Sequence, residues 1–200
     1  MTSTPARSYH HGDLRVALLG RAEETLERTG VAGLSLRELA RDVGVSHGAP
    51  RRHFADKDAL LAALAEEGFD RLGATLGRAA GPPGAEFADR LLATAQAYVG
   101  FATSHPALLD LMFTAKHGPT ATPALVEASR ATFDLLFGLM VEGQRAGAVA
   151  DGEPEQVGAA VFATVHGIAA LASAGMLDAA AVPATVDDAI RRLMVGLQPR

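Results

Sequence analysis

Between Val43 and Ala55 the chain carries two arginines and two histidines and no acidic residue, and Lys57 follows two positions later. The run opens on Ser46, His47, Gly48 and Ala49, ahead of Pro50, Arg51, Arg52 and His53. Guanidinium, ammonium and hydroxyl groups in this order donate hydrogen bonds to phosphates and base edges, so the chemistry on offer is binding to a polyanion. Elsewhere, His105, Asp110, His117 and His166 show no nucleophile–base spacing, glycine-rich phosphate loop or paired-carboxylate motif, so an enzyme is not expected. No acid–histidine constellation has ligand spacing and there is no cysteine, so neither a metal nor a cofactor is expected. His10 and His11 stand apart, in an N-terminal arm with no periodic pattern.

The elements that must position these residues are helical. Apolar residues recur at three-four spacing almost throughout, and no segment alternates as a strand would. Leu14, Ala17, Leu18, Ala22 and Leu26 mark a first helix, stopped by Gly30 and Gly33. Ser35 followed by Glu38 reads as a capping box, with Leu36, Leu39, Ala40 and Val43 on the next helix. Ser46 is expected to cap a short helix running to about residue 53, with Pro50 absorbed in its first turn. Asp56 caps a longer helix with Leu60, Leu61, Leu64 and Leu72. Further helices are expected over residues 85–103, 107–116, 124–146, 155–174 and 183–197. The fold class is all-α, with about nine helices.

Two short helices joined through Val43, Gly44 and Val45 have the spacing of a helix-turn-helix, within a head spanning residues 13–64. Ala40 lets the helices approach, Gly44 admits a positive φ, and Val45 fills the space between them. In such a unit the start of the second helix meets base edges and its free N–H groups suit a phosphate. A plain helical hairpin is the alternative, but a solvent-facing helix would mix Glu and Lys, and this one holds no acid.

Charge agrees with a local contact rather than a general one. Residues 1–60 hold nine basic and eight acidic residues, and residues 61–200 hold nine and fifteen. An acidic body with one basic edge suits a protein that meets DNA over a small patch. No stretch approaches the roughly 18 unbroken apolar residues that would cross a bilayer, so no membrane partner is expected. Absence of cysteine and of an apolar leader fits a cytoplasmic location.

The stretch VAGLSLRELARDVGVSHGAPRRHFADKDALLAAL resembles the DNA-binding head of the tetracycline-repressor-like (TetR/AcrR) regulators. YHHGDL at residues 9–14, SHP at 104–106 and VHG at 165–167 resemble one branch of that family, whose C-terminal domain is named for a Trp-His-Gly signature. The resemblance implies a flexible arm over residues 1–12, a DNA-binding domain over 13–58 and a ligand-binding and dimerisation domain over 59–200. It implies that Ser35 and Arg37 reach the DNA backbone. Ser46, His47, Gly48 and Ala49 then begin the reading helix, Phe54 packs it, and Lys57 holds a phosphate. Arg51 stands where relatives usually carry Tyr, and can take a phosphate or a guanine edge; Arg52 and His53 complete the DNA-facing set.

A dimer surface is expected because two heads on a two-fold site supply useful affinity. Gly158, Ala159, Ala160, Ala163, Gly167, Ala169 and Ala170, with Ile190, Leu193 and Met194, are the candidates. The resemblance places a homodimer interface on the last two helices. Between head and interface, Phe101, Met112, Phe113, Phe133, Phe137, Met140, Phe162 and His166 are the expected lining of an apolar small-molecule site. The resemblance implies that occupancy there lowers affinity for a palindromic operator, making the chain a ligand-released repressor. The competing expectation is a helical ligand-binding or interaction protein with a degenerate, non-DNA-binding head.

Overall fold

The computed structural model describes residues 11–198, with side chains from Leu14 onward. The arm expected over residues 1–12 falls, through residue 10, outside the described residues, as do Tyr9 and His10 of the YHHGDL stretch. Eight α-helices follow in order, with two short 3-10 turns and no strand among the described residues. Helices α1 (His11–Thr29) and α2 (Leu36–Asp42) form the head with the first turns of α3 (Lys57–Ala79). The body comprises the rest of α3 with α4 (Phe87–Ser104), α5 (Pro106–Ala115), α6 (Pro123–Arg145), α7 (Pro154–Ser173) and α8 (Val182–Leu197).

Leucine periodicity builds the head core. Leu18, Leu19 and Leu26 of α1 close onto Leu39 and Leu60, all essentially without exposure. Burying one such side chain contributes roughly 1.5–3 kcal/mol. Arg21 of α1 adds a fork onto Asp42 at the end of α2, with Nε and Nη2 at 3.0 and 2.9 Å from Oδ2. That guanidinium holds the Asp42 carboxyl below its ordinary range. Phe54 is buried at the foot of the head, with the Arg15 guanidinium over its ring.

The expected boundary at residues 58 and 59 falls inside α3, which begins at Lys57 under an Asp56 cap accepting the Ala59 N–H at 2.9 Å. Head and body therefore share one 23-residue helix. Against α3, α5 packs so closely that a Cβ on Gly68 would stand 2.7 Å from the Met112 Sδ. Thr132 of α6 donates to the Phe69 carbonyl of α3 at 3.1 Å. Arg90 of α4, buried, donates to the Ala80 carbonyl and pairs with Glu142 of α6.

Helix α5 is tied directly to the head. His105 and Pro106 start it sharply, and the Glu27 carboxylate of α1 accepts the Ala107 and Leu108 N–H groups at 3.1 and 3.0 Å. These are donors that a helix start leaves without an internal partner. Glu23, one turn earlier on α1, pairs with Arg71 at 2.5 Å and lies 3.1 Å from His105 Nδ1.

Helix α7 is long and apolar enough, by length and composition, to cross a bilayer, yet only 28% of its apolar window is buried within the chain. Ala159, Ala160, Ala163 and Ala170 are exposed along it. Gly158, expected to face a partner, instead receives Phe137: a Cβ there would lie 2.8 Å from its ring. Ala169 and Ile190 are likewise buried within the protomer.

Candidate functional site

The turn after α2 has the geometry its residues call for. Gly44 sits at φ 74°. The Val45 N–H donates to the Ala40 carbonyl at 2.9 Å and the Gly44 N–H to Arg41 at 3.1 Å. This paired closure satisfies the last carbonyls of α2 and turns the chain toward its next segment.

The expected helix over residues 46–53 is not an α-helix. Residues 47–48 form a turn and Pro50–Arg52 a 3-10 helix. Proline is the reason. Pro50 has no N–H for the Ser46 carbonyl, and its ring crowds that oxygen. The Ser46 carbonyl is instead taken by the Ala49 N–H at 2.9 Å, and Arg52 and His53 close i to i+3 bonds onto Ala49 and Pro50 at 3.2 and 2.9 Å. The tighter winding still ends correctly, because Pro50 and Phe54 are both buried in the head.

What the segment presents outward is cationic. Ser46, His47, Gly48, Arg51 and Arg52 are exposed, and Ala49, His53 and Lys57 are half-buried. His53 lies beside Phe54, with ring centroids 6.4 Å apart. Ser35, Arg37, Glu38, Arg41 and His47 line one open cleft of about 520 Å³, joining the start of α2 to the turn. The Ser35 side chain makes no capping bond, so the capping box with Glu38 does not form. Arg41 is the addition that sequence reading missed; its position one helical turn after Arg37 was the available signal.

The body residues divide. Phe113, Phe133, Phe137 and Phe162 are half-buried and linked by ring contacts of 5.2–6.3 Å. His166 joins them, 5.3 Å from both Phe113 and Phe162. Its Nδ1 is 2.7 Å from the Tyr98 hydroxyl. Burial, then the charge of Lys116, pushes the imidazole below its ordinary pKa, and burial pushes the Tyr98 phenol upward. Met140 and Phe162 border a small apolar pocket of about 30 Å³, with Tyr98 and Thr94 at its wall.

Two expected members lie elsewhere. Met112 is fully buried beneath Gly68. Phe101 faces the head junction, 5.1 Å from the His105 ring and under the Arg71 guanidinium. Lys116 was missed and belongs with the cluster, its ammonium 4.4 Å from the Phe133 centroid and 4.6 Å from that of Phe113.

Comparison with known proteins agrees with this arrangement. Residues 18–64 match the model of bacterial regulatory proteins of the tetR family, and residues 91–197 match the tetracyclin repressor-like C-terminal domain. A structure described as a protein with unknown function from Rhodococcus sp. RHA1 is 49% identical, with a TM-score of 0.90 over 97% of this chain and 100% of that one. A tetR-family regulatory protein from Rhodococcus RHA1 shares the fold, with a TM-score of 0.75 at 18% identity over 94% of this chain and 98% of that one. The HTH-type transcriptional regulator Rv1816 of Mycobacterium tuberculosis is 33% identical over 50% of this chain and 43% of its own length. The chain thus spans less than half the length of the curated relatives it matches. The curated relatives are named as transcriptional regulators, and the chain belongs to the tetR family of bacterial regulatory proteins.

Proposed function

We propose that the protein is a cytoplasmic, homodimeric transcriptional repressor that leaves a palindromic operator when a small, apolar-bodied effector occupies the body. The observation that carries the reading is the exposed, acid-free segment Ser46–Arg52, set beside Ser35, Arg37, Arg41 and His47 at the end of a two-helix head. In this reading residues 13–58 bind DNA and residues 59–200 bind effector and partner copy. Arg37, Arg52 and Lys57 neutralise phosphates and Ser35 donates a hydrogen bond to one, while Ser46, His47, Gly48, Ala49, Arg51 and His53 approach the groove. Dimerisation through α7 and α8 is supported by their exposed apolar residues, including Leu171 at 41% and Val195 at 74% exposure.

The test is a gel shift with DNA upstream of the chain's own gene, followed by selection from genomic fragments. Binding should weaken steeply with salt, since each neutralised phosphate contributes about −0.9 to the slope of log K against log[salt]. No binding to any fragment at low salt would sink the reading. The second reading, a ligand-binding protein with a degenerate head, is favoured by one observation: Pro50 keeps the segment from winding as an α-helix. It requires effector binding to persist with no DNA binding at all.

A further inference from the structure

Lys116 is one of two lysines in the chain. It follows the last residue of α5, and its ammonium is surrounded by three phenyl rings: Phe133 at 4.4 Å, Phe113 at 4.6 Å and Phe69 at 5.8 Å. These rings come from α6, α5 and α3, so three elements converge on one cation. Among the described residues no carboxylate lies within ion-pair distance of it, whereas Arg21, Arg71, Arg90, Arg130 and Arg192 each have at least one. Burial pushes the Lys116 pKa below its ordinary value. Ring faces replace only part of the water that a half-buried ammonium has lost.

The surroundings extend this into a site. Phe113, Phe133 and Phe162 are half-buried, so the aromatic cluster keeps an accessible side. His166 adds a second polar group, held by Tyr98 at 2.7 Å through Nδ1. Asp110 of α5 borders a neighbouring cleft that Phe113 and His166 also line, and makes no ion pair with Lys116. An ammonium ligand would meet Lys116 as a like charge, and a neutral one would leave it unpaired. A phosphate dianion would find a single cation and no guanidinium fork.

We propose that the effector is a small organic carboxylate whose carboxylate pairs with Lys116 while its apolar or aromatic body lies against Phe113, Phe133 and Phe162. This rests on reading the protein as an effector-responsive regulator. Low effective dielectric at a half-buried pair makes the charge decisive for affinity.

The test uses the full chain and isothermal titration with naphthalene-2-carboxylate and decanoate, each against its neutral amide. Wild type should bind at least one acid tenfold or more tighter than the matching amide. Lys116→Met should abolish that preference while leaving amide affinity within about twofold, and Lys116→Arg should keep it. Lys116→Gln serves as the second neutral variant should Lys116→Met fail to fold. Equal binding of acid and amide, binding of neither, or a preference that survives both neutral variants would overturn the proposal. Gel shifts on the same preparations separate the two failures. A protein that binds DNA but ignores ligand charge defeats only this inference, whereas one that binds no DNA defeats the regulator reading.

Discussion

The Tyr98 hydroxyl and the His166 Nδ1 stand 2.7 Å apart, fastening α4 to α7 beneath the aromatic cluster. Because the folded state disfavours the imidazolium, His166 has a lowered pKa in the fold and an ordinary one, near 6.5, in the unfolded chain. The neutral form contributes stability that is fully present above about pH 6.5. It is lost as pH falls from there through the lowered folded value, since the unfolded chain takes up a proton that the fold resists. Urea unfolding of wild type between pH 7.5 and 5 should therefore show a decline that His166→Gln lacks. Identical pH profiles would refute the assignment.

Gly44 holds the head turn at φ 74°, with no atom near enough to obstruct an added Cβ. Gly44→Ala therefore acts through backbone strain alone and should cost about 1–2 kcal/mol. The urea midpoint reads it, and an unchanged midpoint would remove the strain argument. DNA affinity should fall with it, because the turn sets where Ser46–Arg52 lies.

Arg51 is exposed within the 3-10 helix and has no carboxylate partner within ion-pair distance among the described residues. Arg51→Ala should weaken operator binding about tenfold to a hundredfold, the range of one charge-assisted hydrogen bond. A uniform loss across operator variants, with a salt slope shallower by about 0.9, marks a phosphate contact. A loss confined to one base pair marks guanine readout. Unchanged affinity would remove Arg51 from the interface.

The dimer surface is tested at α8. Val195 is 74% exposed in the protomer, so Val195→Asp should change the fold's own stability by less than about 0.5 kcal/mol. In an interface it would leave a charge buried and unpaired, a cost of several kcal/mol. Analytical ultracentrifugation should show wild type at twice the 20.7 kDa chain mass and the variant at the chain mass. A variant that stays dimeric would move the interface elsewhere.

How much of this was legible in the sequence depended on distance along the chain. Local signals succeeded: Gly44, the Asp56 cap, and the leucine stripes of α1 and α3 all rest on residues within a turn or two of each other. Pro50 was visible too, but its effect was misjudged. The loss of one N–H, with the ring against Ser46, was enough to replace the α-helix by a turn at residues 47–48 and a 3-10 helix at Pro50–Arg52. The capping role given to Ser35 failed although the pattern with Glu38 was present, because the side chain lies in the cleft with Arg37 and His47. Long-range relationships were hidden. Glu27 and Leu108 are 81 positions apart, and nothing in either neighbourhood announces the other. Lys116 read only as the last residue of an expected helix over residues 107–116, because the three rings around it come from three separate helices. Small residues on α7 could not be divided by type alone. Gly158 turned inward to admit Phe137, while its neighbours Ala159 and Ala160 remained outside.

Helix α5 is ten residues long, about 15 Å from end to end. One end is gripped by a head carboxylate, Glu27, and the other finishes at Lys116 among the rings. A rod this short does not bend appreciably, so a tug at its far end arrives at α1 as displacement rather than being absorbed along the way. Lys116 and the N–H groups that Glu27 holds thus lie at opposite ends of one stiff part, and in the effector reading proposed above a shift at Lys116 is carried along α5 to a single carboxylate contact with α1.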